Sequence, residues 1–400
     1  MKKLLLTASL LGVFAASSSM AATITGWNTS NVRVGATPPD GITGSSEVYD
    51  RVVPPTGPLP AGATSNGRIL FTPPEAVSPG IKVVNAPYTD SGPNPVQLDG
   101  CIMTSSAASC DSGFQSGKRI KQMMTGFNPV DLVFNVDSSS TETSIYQVFG
   151  RLINGTSKSL AGFSLQLGYG VGNDFVEATA ANGLSFSTDF SAQPTGSGSS
   201  STQFPFGLFG DASSNPNFLL DGFFSTQRSG FNTDQTETTL SSTDYFGQYQ
   251  AMFGPWSNQT DVPTGLFWDF DGDPSTDALL MAWEREPGLW ELRRDTGETC
   301  DPLNPLVCTA GVTRASFATG SLSEIIALLG ADPNLLSTGG IEDLANINLN
   351  YAIALGDMGG RTSFTLRTIV TPSTIPLPMS APLMASGIGL LGFLRRRKKR

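Results

Sequence analysis

The chain has 400 residues, a formal net charge of −10 and no histidine, and only 14% of its residues are charged. Without an imidazole it cannot carry out histidine-assisted serine or cysteine hydrolysis, and its negative charge argues against nucleic acid as a partner. Ser, Thr, Asn and Gly supply most of the polarity, which is typical of a turn-rich extracellular β-protein.

Residues 1–21 have the layout of a secretory signal peptide. Lys2 and Lys3 form a basic n-region, residues 4–16 are mostly apolar, and Ser19 and Ala21 place small residues at −3 and −1 of a cut after Ala21. An apolar stretch of about 13 residues is too short for a transmembrane helix, which needs roughly 20. We therefore expect signal peptidase to remove this segment and the body to be exported.

Residues 22–129 form a Pro- and Gly-rich N-terminal part of the body. VVPPTGPLPAGATSNG (52–67) separates short apolar runs such as residues 68–72 and 81–84. Because Pro and Gly interrupt regular structure, we predict loops and edge strands here.

The four cysteines lie in two local pairs, Cys101 with Cys110 and Cys300 with Cys308. Three connectivities are possible, and pairing within each loop is favoured because an oxidising compartment would let a disulfide hold these Ser- or Pro-rich excursions. Each bridge would add about 2 to 3 kcal/mol to stability. A zinc site is the alternative, but the chain lacks both CxxC spacing and histidine.

Residues 130–372 carry the strongest strand signals. LVFNV (132–136) and SIYQVFGRLIN (144–154) precede FSLQLGY (163–169), where apolar and polar residues alternate with the period of a half-buried strand. DALLMAWE (277–284) and LWELRR (289–294) indicate a hairpin. We predict an all-β body, an antiparallel β-sandwich or jelly-roll-like fold.

One short helix and a final hairpin complete this expectation. Ser321 and Glu324 form a capping box ahead of IIALLG, and Gly330 is suited to end the helix. Residues 347–355 alternate like a strand, GDMGG (356–360) predicts a turn, and RTSFTLRTIV (361–370) predicts an antiparallel return strand.

One acidic loop, DFDGDPSTD (269–277), is a candidate cation site. Its alternating carboxylates, with Gly272 permitting a tight bend, are oxygen ligands of the kind that calcium prefers. It is not an EF-hand, and a purely structural Asp-Gly-Asp turn is the competing interpretation. The candidate calcium ligands are Asp269, Asp271, Asp273 and Asp277.

Carboxylates beside tryptophans allow a third interpretation. Glu284 or Glu286 with Asp269 would imitate a glycosidase pair beside Trp283 and Trp290, since such hydrolysis needs only two carboxylates. The aromatic residues would line a carbohydrate surface or, as we favour, fill a β-core. The set comprises Trp256, Trp268, Trp283, Trp290 and FPFGLFG (204–210).

Residues 373–400 end in an undersized apolar helix and a basic tail. Pro382 stops any helix upstream of Leu383, so the apolar helix has about 12 residues and spans about 18 Å, short of the ~30 Å hydrocarbon core. By the positive-inside rule the tail stays cytoplasmic and the body lies across the membrane. The tail consists of Arg395, Arg396, Arg397, Lys398, Lys399 and Arg400.

A Pro-containing motif precedes this helix and tail, and its residues are Ile375, Pro376, Leu377, Pro378 and Met379. With these three parts in this order, the segment resembles the bacterial PEP-CTERM class of sorting signals in its VPLPA-CTERM variant, with Ile for the usual Val and Met for the usual Ala. The resemblance implies that an exosortase, a membrane cysteine peptidase, cuts near the motif and passes the body to a surface attachment. An ordinary single-span anchor is the alternative.

Five stretches of the body are YQVFGRLIN (146–154), GFSLQLGYGVG (162–172), FPFGLFGDA (204–212), GFFSTQRSGF (222–231) and VPTGLFWDFDGDPSTDALLMAW (262–283). In these stretches the body resembles the bacterial choice-of-anchor F family. The family shares a body carried on different C-terminal sorting tails, which implies surface display or release and supplies no catalytic residues.

Together these features predict a non-enzymatic, exported bacterial surface or extracellular-matrix protein. It would be membrane-anchored transiently, facing away from the cytoplasm, until the sorting enzyme cuts it. A calcium-assisted carbohydrate- or matrix-binding module, with extracellular polysaccharide as partner, and an extracellular polysaccharide hydrolase are the alternative functions.

Overall fold

The computed structural model describes residues 22–90, 95–111, 116–137, 142–190, 199–202, 230–246, 253–254, 256–270, 272, 278–294, 299–301, 304–309 and 318–373. The predicted signal peptide, sorting motif, C-terminal helix and basic tail lie outside these ranges. Within them, no helix is long and apolar enough to cross a membrane.

The described part of the chain is mostly β-structure with a single short α-helix, as predicted. The helix is α1 (Leu322–Leu329). The strands are β1 (Thr23–Asn28), β2 (Val32–Arg33), β3 (Gly44–Tyr49), β4 (Ser65–Phe71), β5 (Lys82–Val84), β6 (Tyr88–Thr89), β7 (Gln97–Leu98), β8 (Gly100–Met103), β9 (Ile120–Met124), β10 (Val130–Asp137), β11 (Ser144–Asn154), β12 (Leu160–Tyr169), β13 (Val176–Glu177), β14 (Leu184–Phe186), β15 (Ser199–Thr202), β16 (Gly230–Gln235), β17 (Thr239–Phe246), β18 (Thr264–Trp268), β19 (Leu279–Glu286), β20 (Leu289–Leu292), β21 (Thr299–Asp301), β22 (Asn304–Thr309), β23 (Thr319–Gly320), β24 (Leu336–Gly340), β25 (Asn346–Leu355) and β26 (Ser363–Pro372).

The largest sheet contains two groups of strands. In the β25 group, β25 pairs antiparallel with β11, and β11 pairs parallel with β8 and β9. In the β26 group, β26 lies between β10 and β12 and is antiparallel to both. One pairing between β15 and β16 connects the two groups among the described strands. The sheet is therefore mainly antiparallel, with β8 and β9 as the parallel members.

The main core lies between the two groups. Phe134 of β10 stacks on Phe364 of β26 with ring centroids 5.3 Å apart. From the β25 group, Leu349 and Tyr351 meet Leu366 of the β26 group around one internal space. Alternation along each strand places these side chains on the inward face, where their apolar area leaves water.

The predicted hairpin of the last two strands is wrong, although both strands exist. β25 pairs with β11, β14 and β15, whereas β26 pairs with β10 and β12. The segment 356–362 carries the chain from one group to the other. Both strands have a buried apolar face, and Leu349 on one and Leu366 on the other line the same internal space, so the two strands meet through side chains and not through a backbone ladder.

A second sheet of five strands has the order β23, β20, β19, β18, β24. The predicted hairpin of β19 and β20 is confirmed. Ile325 and Leu329 of α1 belong to the same buried cluster as Met281 of β19, while Leu280 packs on the opposite face of that strand. Both faces of β19 are therefore buried.

The start and end of α1 match the sequence signals. The Ser321 hydroxyl accepts from the Glu324 backbone N–H, and the Glu324 carboxylate accepts from the Ser321 backbone N–H at 2.7 Å. Gly330 has φ 63°, the left-handed conformation that commonly ends helices.

Candidate functional site

The acidic loop is described only at its start. Asp269 directly follows β18, and its backbone N–H donates to the Leu335 carbonyl at 2.9 Å. Its Oδ1 is buried and has no hydrogen-bond partner among the described residues. Asp271, Asp273 and Asp277 lie outside the described residues, and no group of metal-binding side chains occurs in the ranges that are described. The calcium site stays a prediction.

The carboxylates proposed as a glycosidase pair do not come together. β18 and β19 pair Gly265 with Trp283 and Trp268 with Leu279, so Glu284 and Asp269 lie at opposite ends of this pair. Their positions differ by about five residues, or roughly 17 Å along the strands, whereas glycosidase carboxyl groups are about 5 to 9.5 Å apart. Glu284 instead accepts from the Gly288 N–H at 2.8 Å in the hairpin turn.

The tryptophans pack in the protein core, as predicted by the favoured interpretation that they fill a β-core. Trp256, Trp268 and Trp290 are buried, and Trp283 packs edge-on against Phe253 at 5.0 Å. Trp256 also connects separate elements, because its Nε1 donates to the Ala345 carbonyl at 2.7 Å and its own carbonyl accepts from the Leu160 N–H at 2.8 Å. FPFGLFG (204–210) lies outside the described residues.

Cys101 and Cys110 form the first predicted disulfide, with Cα atoms 6.0 Å apart and both residues buried. The second pair occupies the β21–β22 hairpin, whose backbone register places Cys300 directly opposite Cys308. The side chains of that hairpin are outside the description, so the second bridge stays a prediction.

A polar cleft of about 860 Å³ lies at one end of the main sheet. Its floor includes Ile145 of β11 and Ala354 of β25, which are direct cross-strand partners. The segment after β14 and the β16–β17 turn form two of its walls. The polar cleft is lined by Thr143, Ile145, Ala178, Thr179, residues 185–189, residues 235–238 and Ala354.

The two walls of the polar cleft are tied to each other by hydrogen bonds. Phe186 donates its backbone N–H to the Glu237 carbonyl at 2.6 Å, and the Gln235 Nε2 donates to the Ser187 carbonyl at 3.1 Å. Phe186 is also held in the core against Tyr351, with ring centroids 5.7 Å apart. These contacts hold the two walls of the polar cleft in fixed positions on the main sheet.

Sequence reasoning missed the polar cleft. Its walls come from STD (187–189) and QTET (235–238), which read as ordinary turns because Ser, Thr and Asp favour such positions. Only the pairing of β14 with β25 and of β16 with β17 brings them side by side. No local signal would have identified the site.

No family model, curated protein or solved structure matches this chain.

Proposed function

We propose that this chain is an exported, non-enzymatic bacterial surface or extracellular-matrix protein that an exosortase processes at its C-terminal sorting signal. The Cys101–Cys110 disulfide is the structural observation that carries the proposal furthest. Disulfides persist in oxidising compartments and are rare in the cytosol, so a buried bridge agrees with the secretory layout of residues 1–21.

The end of the fold also supports processing at the signal. β26 is central in its group, and the Ser373 N–H still donates to the Ser159 carbonyl at 2.9 Å. The motif starts at Ile375, so only Thr374 separates it from Ser373. A cut at the motif would release the body with every strand of the β26 group in place.

The proposal extends to the architecture of the body as an antiparallel β-sandwich. Support comes from the packing of the β25 group against the β26 group across one core, with Tyr351 and Leu366 on facing strands. Aligned sheets that pack through alternating inward residues are typical of sandwiches. A body of this architecture suits display outside the cell.

A non-enzymatic role is proposed on two grounds. The chain has no histidine, and Asp269 and Glu284 are held too far apart to act as a glycosidase pair. The separation of Asp269 from Glu284 counts against the hydrolase alternative for this pair of carboxylates.

The sorting proposal is tested by the mass of the mature protein. Expression in a host with a working exosortase should yield a C-terminus between residues 374 and 380 and loss of the basic tail. A matched variant with Pro376 and Pro378 replaced by Ala should keep Arg400. Recovery of Arg400 in mature wild-type protein would overturn sorting and support a plain anchor.

A calcium-assisted binding module is the second candidate, favoured by the buried Oδ1 of Asp269, which has no hydrogen-bond partner among the residues that the structure describes. A buried carboxylate oxygen without a donor is costly unless a cation or proton satisfies it. Millimolar calcium should then raise the melting temperature of the wild-type protein and leave Asp269→Asn unchanged. An equal response of both proteins would exclude Asp269 as a ligand.

A further inference from the structure

We propose that the polar cleft binds a positively charged, hydroxyl-rich ligand, specifically an oligosaccharide that carries free amino groups. The inference deepens the proposed function by naming a ligand class that an exported protein would meet in extracellular polysaccharide. Binding by the purified protein is measured independently of sorting, so either idea can fail alone.

The charge of the lining selects a cation. Asp189 and Glu237 line the polar cleft, one on each of its two adjoining walls, and no Lys or Arg is among the described residues that line it. Within the described ranges, Asp189 and Glu237 form hydrogen bonds only through their backbone groups. Eight of the 24 Lys and Arg lie in the two terminal segments. The rest of the chain therefore has 16 Lys and Arg and 34 Asp and Glu, a net charge of about −18. An anionic sugar such as a uronic acid would therefore be repelled.

The remaining lining suits a sugar better than a simple amine. Thr143, Ser185 and Thr188 offer hydroxyl groups that both donate and accept hydrogen bonds. Ile145 and Ala354 give the floor a small apolar surface against which the C–H face of a pyranose ring can lie. A linear polyamine would satisfy the carboxylates but leave the hydroxyl groups without a specific partner.

The size of the polar cleft agrees with this ligand class. Its volume of about 860 Å³ falls within the range of about 300 to 1,000 Å³ that is typical of small-molecule sites. Phe186 contributes no stacking platform because it is 3% exposed and packs into the core. Hydrogen bonds and charge, and not aromatic stacking, would therefore dominate recognition.

Calorimetric titration of the exported, purified protein tests the inference with three probes: a β-1,4-linked glucosamine tetramer, its fully N-acetylated form and spermidine. We expect saturable binding of the glucosamine tetramer and at least about tenfold weaker binding of the other two, because acetylation removes the charge and spermidine lacks the ring hydroxyl groups. Binding should weaken as the pH rises above the pKa of the sugar amine. Equal binding of the N-acetylated form or of spermidine, or no saturable binding of the glucosamine tetramer, would overturn the assignment.

Variants locate the binding in the polar cleft. Asp189→Asn combined with Glu237→Gln should weaken the glucosamine tetramer about tenfold, whereas the exposed Asp40→Asn, outside the cleft, should have no effect. Ala354→Phe fills the floor without changing charge and should abolish binding. Melting curves of each variant verify folding, and unchanged affinity in both the double variant and Ala354→Phe would show that the sugar binds elsewhere.

Discussion

Arg367 of β26 donates two parallel hydrogen bonds to the Asp131 carboxylate of β10. Nε lies 2.7 Å from Oδ1 and Nη2 lies 2.8 Å from Oδ2, and the two side chains are only 12% and 2% exposed. The guanidinium also donates to the Gly172 carbonyl at 2.7 Å and lies over the Phe175 ring at 3.8 Å. The Gly172 N–H donates to Asp131 Oδ2 at 2.7 Å. The Arg367–Asp131 pair therefore holds the loop after β12 against β10 and β26.

Replacing either partner should destabilise the fold strongly. Asp131→Asn leaves a buried guanidinium without its counter-charge and should lower the free energy of unfolding by about 3 to 5 kcal/mol. Arg367→Lys keeps the charge but loses the planar fork, and should cost about 1 to 3 kcal/mol. Chemical denaturation measures both. The exposed Arg361→Lys loses a contact with the Tyr169 ring and a 3.3 Å hydrogen bond from Nη1 to the Met358 carbonyl, and should stay within about 0.5 kcal/mol. A comparable loss in that variant would show that the buried Arg367–Asp131 pair contributes no more than an exposed arginine.

Tyr146 should matter through its hydroxyl group. This group accepts from the Ile24 backbone N–H at 3.3 Å and donates to Asn85 Oδ1 at 2.6 Å, while Asn85 Nδ2 donates to the Ile24 carbonyl at 3.1 Å. Tyr146→Phe leaves a buried backbone donor without its partner, so the free energy of unfolding should fall by about 1 to 3 kcal/mol near neutral pH. A loss below about 0.5 kcal/mol in chemical denaturation would show that the edge of β1 does not depend on this bridge.

The same residue predicts an alkaline response. Burial raises the pKa of Tyr146 from its ordinary 10.0 to about 12. Between these pH values the unfolded chain has lost the phenolic proton and the folded chain retains it. The contribution of Tyr146 to the free energy of unfolding is therefore fully present below pH 10 and is lost as the pH rises toward 12. Tyr146→Phe should make this decline shallower in denaturation series at about pH 9 to 12. Asn85→Leu breaks the same bridge but retains the phenol, so a shallower decline in that variant as well would assign the effect to the bridge and not to titration.

The disulfide prediction concerns both cysteine pairs. Peptide mapping of the exported protein without reduction should recover Cys101 linked to Cys110 and Cys300 linked to Cys308, because the first pair is bridged and the second is opposed in the backbone register. Replacing Cys101 and Cys110 together by Ala should cost about 2 to 3 kcal/mol through loop closure. Any peptide that joins one loop to the other contradicts this pairing.

Local signals predicted individual elements well, and pairing between distant elements poorly. The capping box at Ser321 and the period of two in β12 specify a helix start and a buried strand face, because each depends on residues a few positions apart. The partners of β25 and β26 depend on which apolar faces share a core, and an intervening Gly-rich turn suits a hairpin as well as a crossover. For the same reason the polar cleft, assembled from turns at residues 185–189 and 235–238, had no signature in the chain.

The position of β26 predicts where the folded body must end. A chain of residues 22–373 retains the pairing of β26 with β10 and β12 and the buried side chains Phe364, Leu366 and Val370. A chain that ends at Thr362 exposes the edges of β10 and β12 together and leaves Asp131 buried without Arg367. The first should melt cooperatively as a soluble protein, and the second should fail to fold or aggregate.

Circular dichroism melting and size-exclusion chromatography of both chains make this comparison. A third chain ending at Pro372 is the matched control, since it loses only the hydrogen bond from Ser373 to Ser159 and should melt close to the 22–373 chain. If the chain ending at Thr362 melted at the same temperature as the other two, β26 would be dispensable. A sorting cut could then fall well upstream of Ile375 without harm to the body. If it does not fold, any enzyme that releases a functional body has to cut downstream of β26, because this strand lies between β10 and β12.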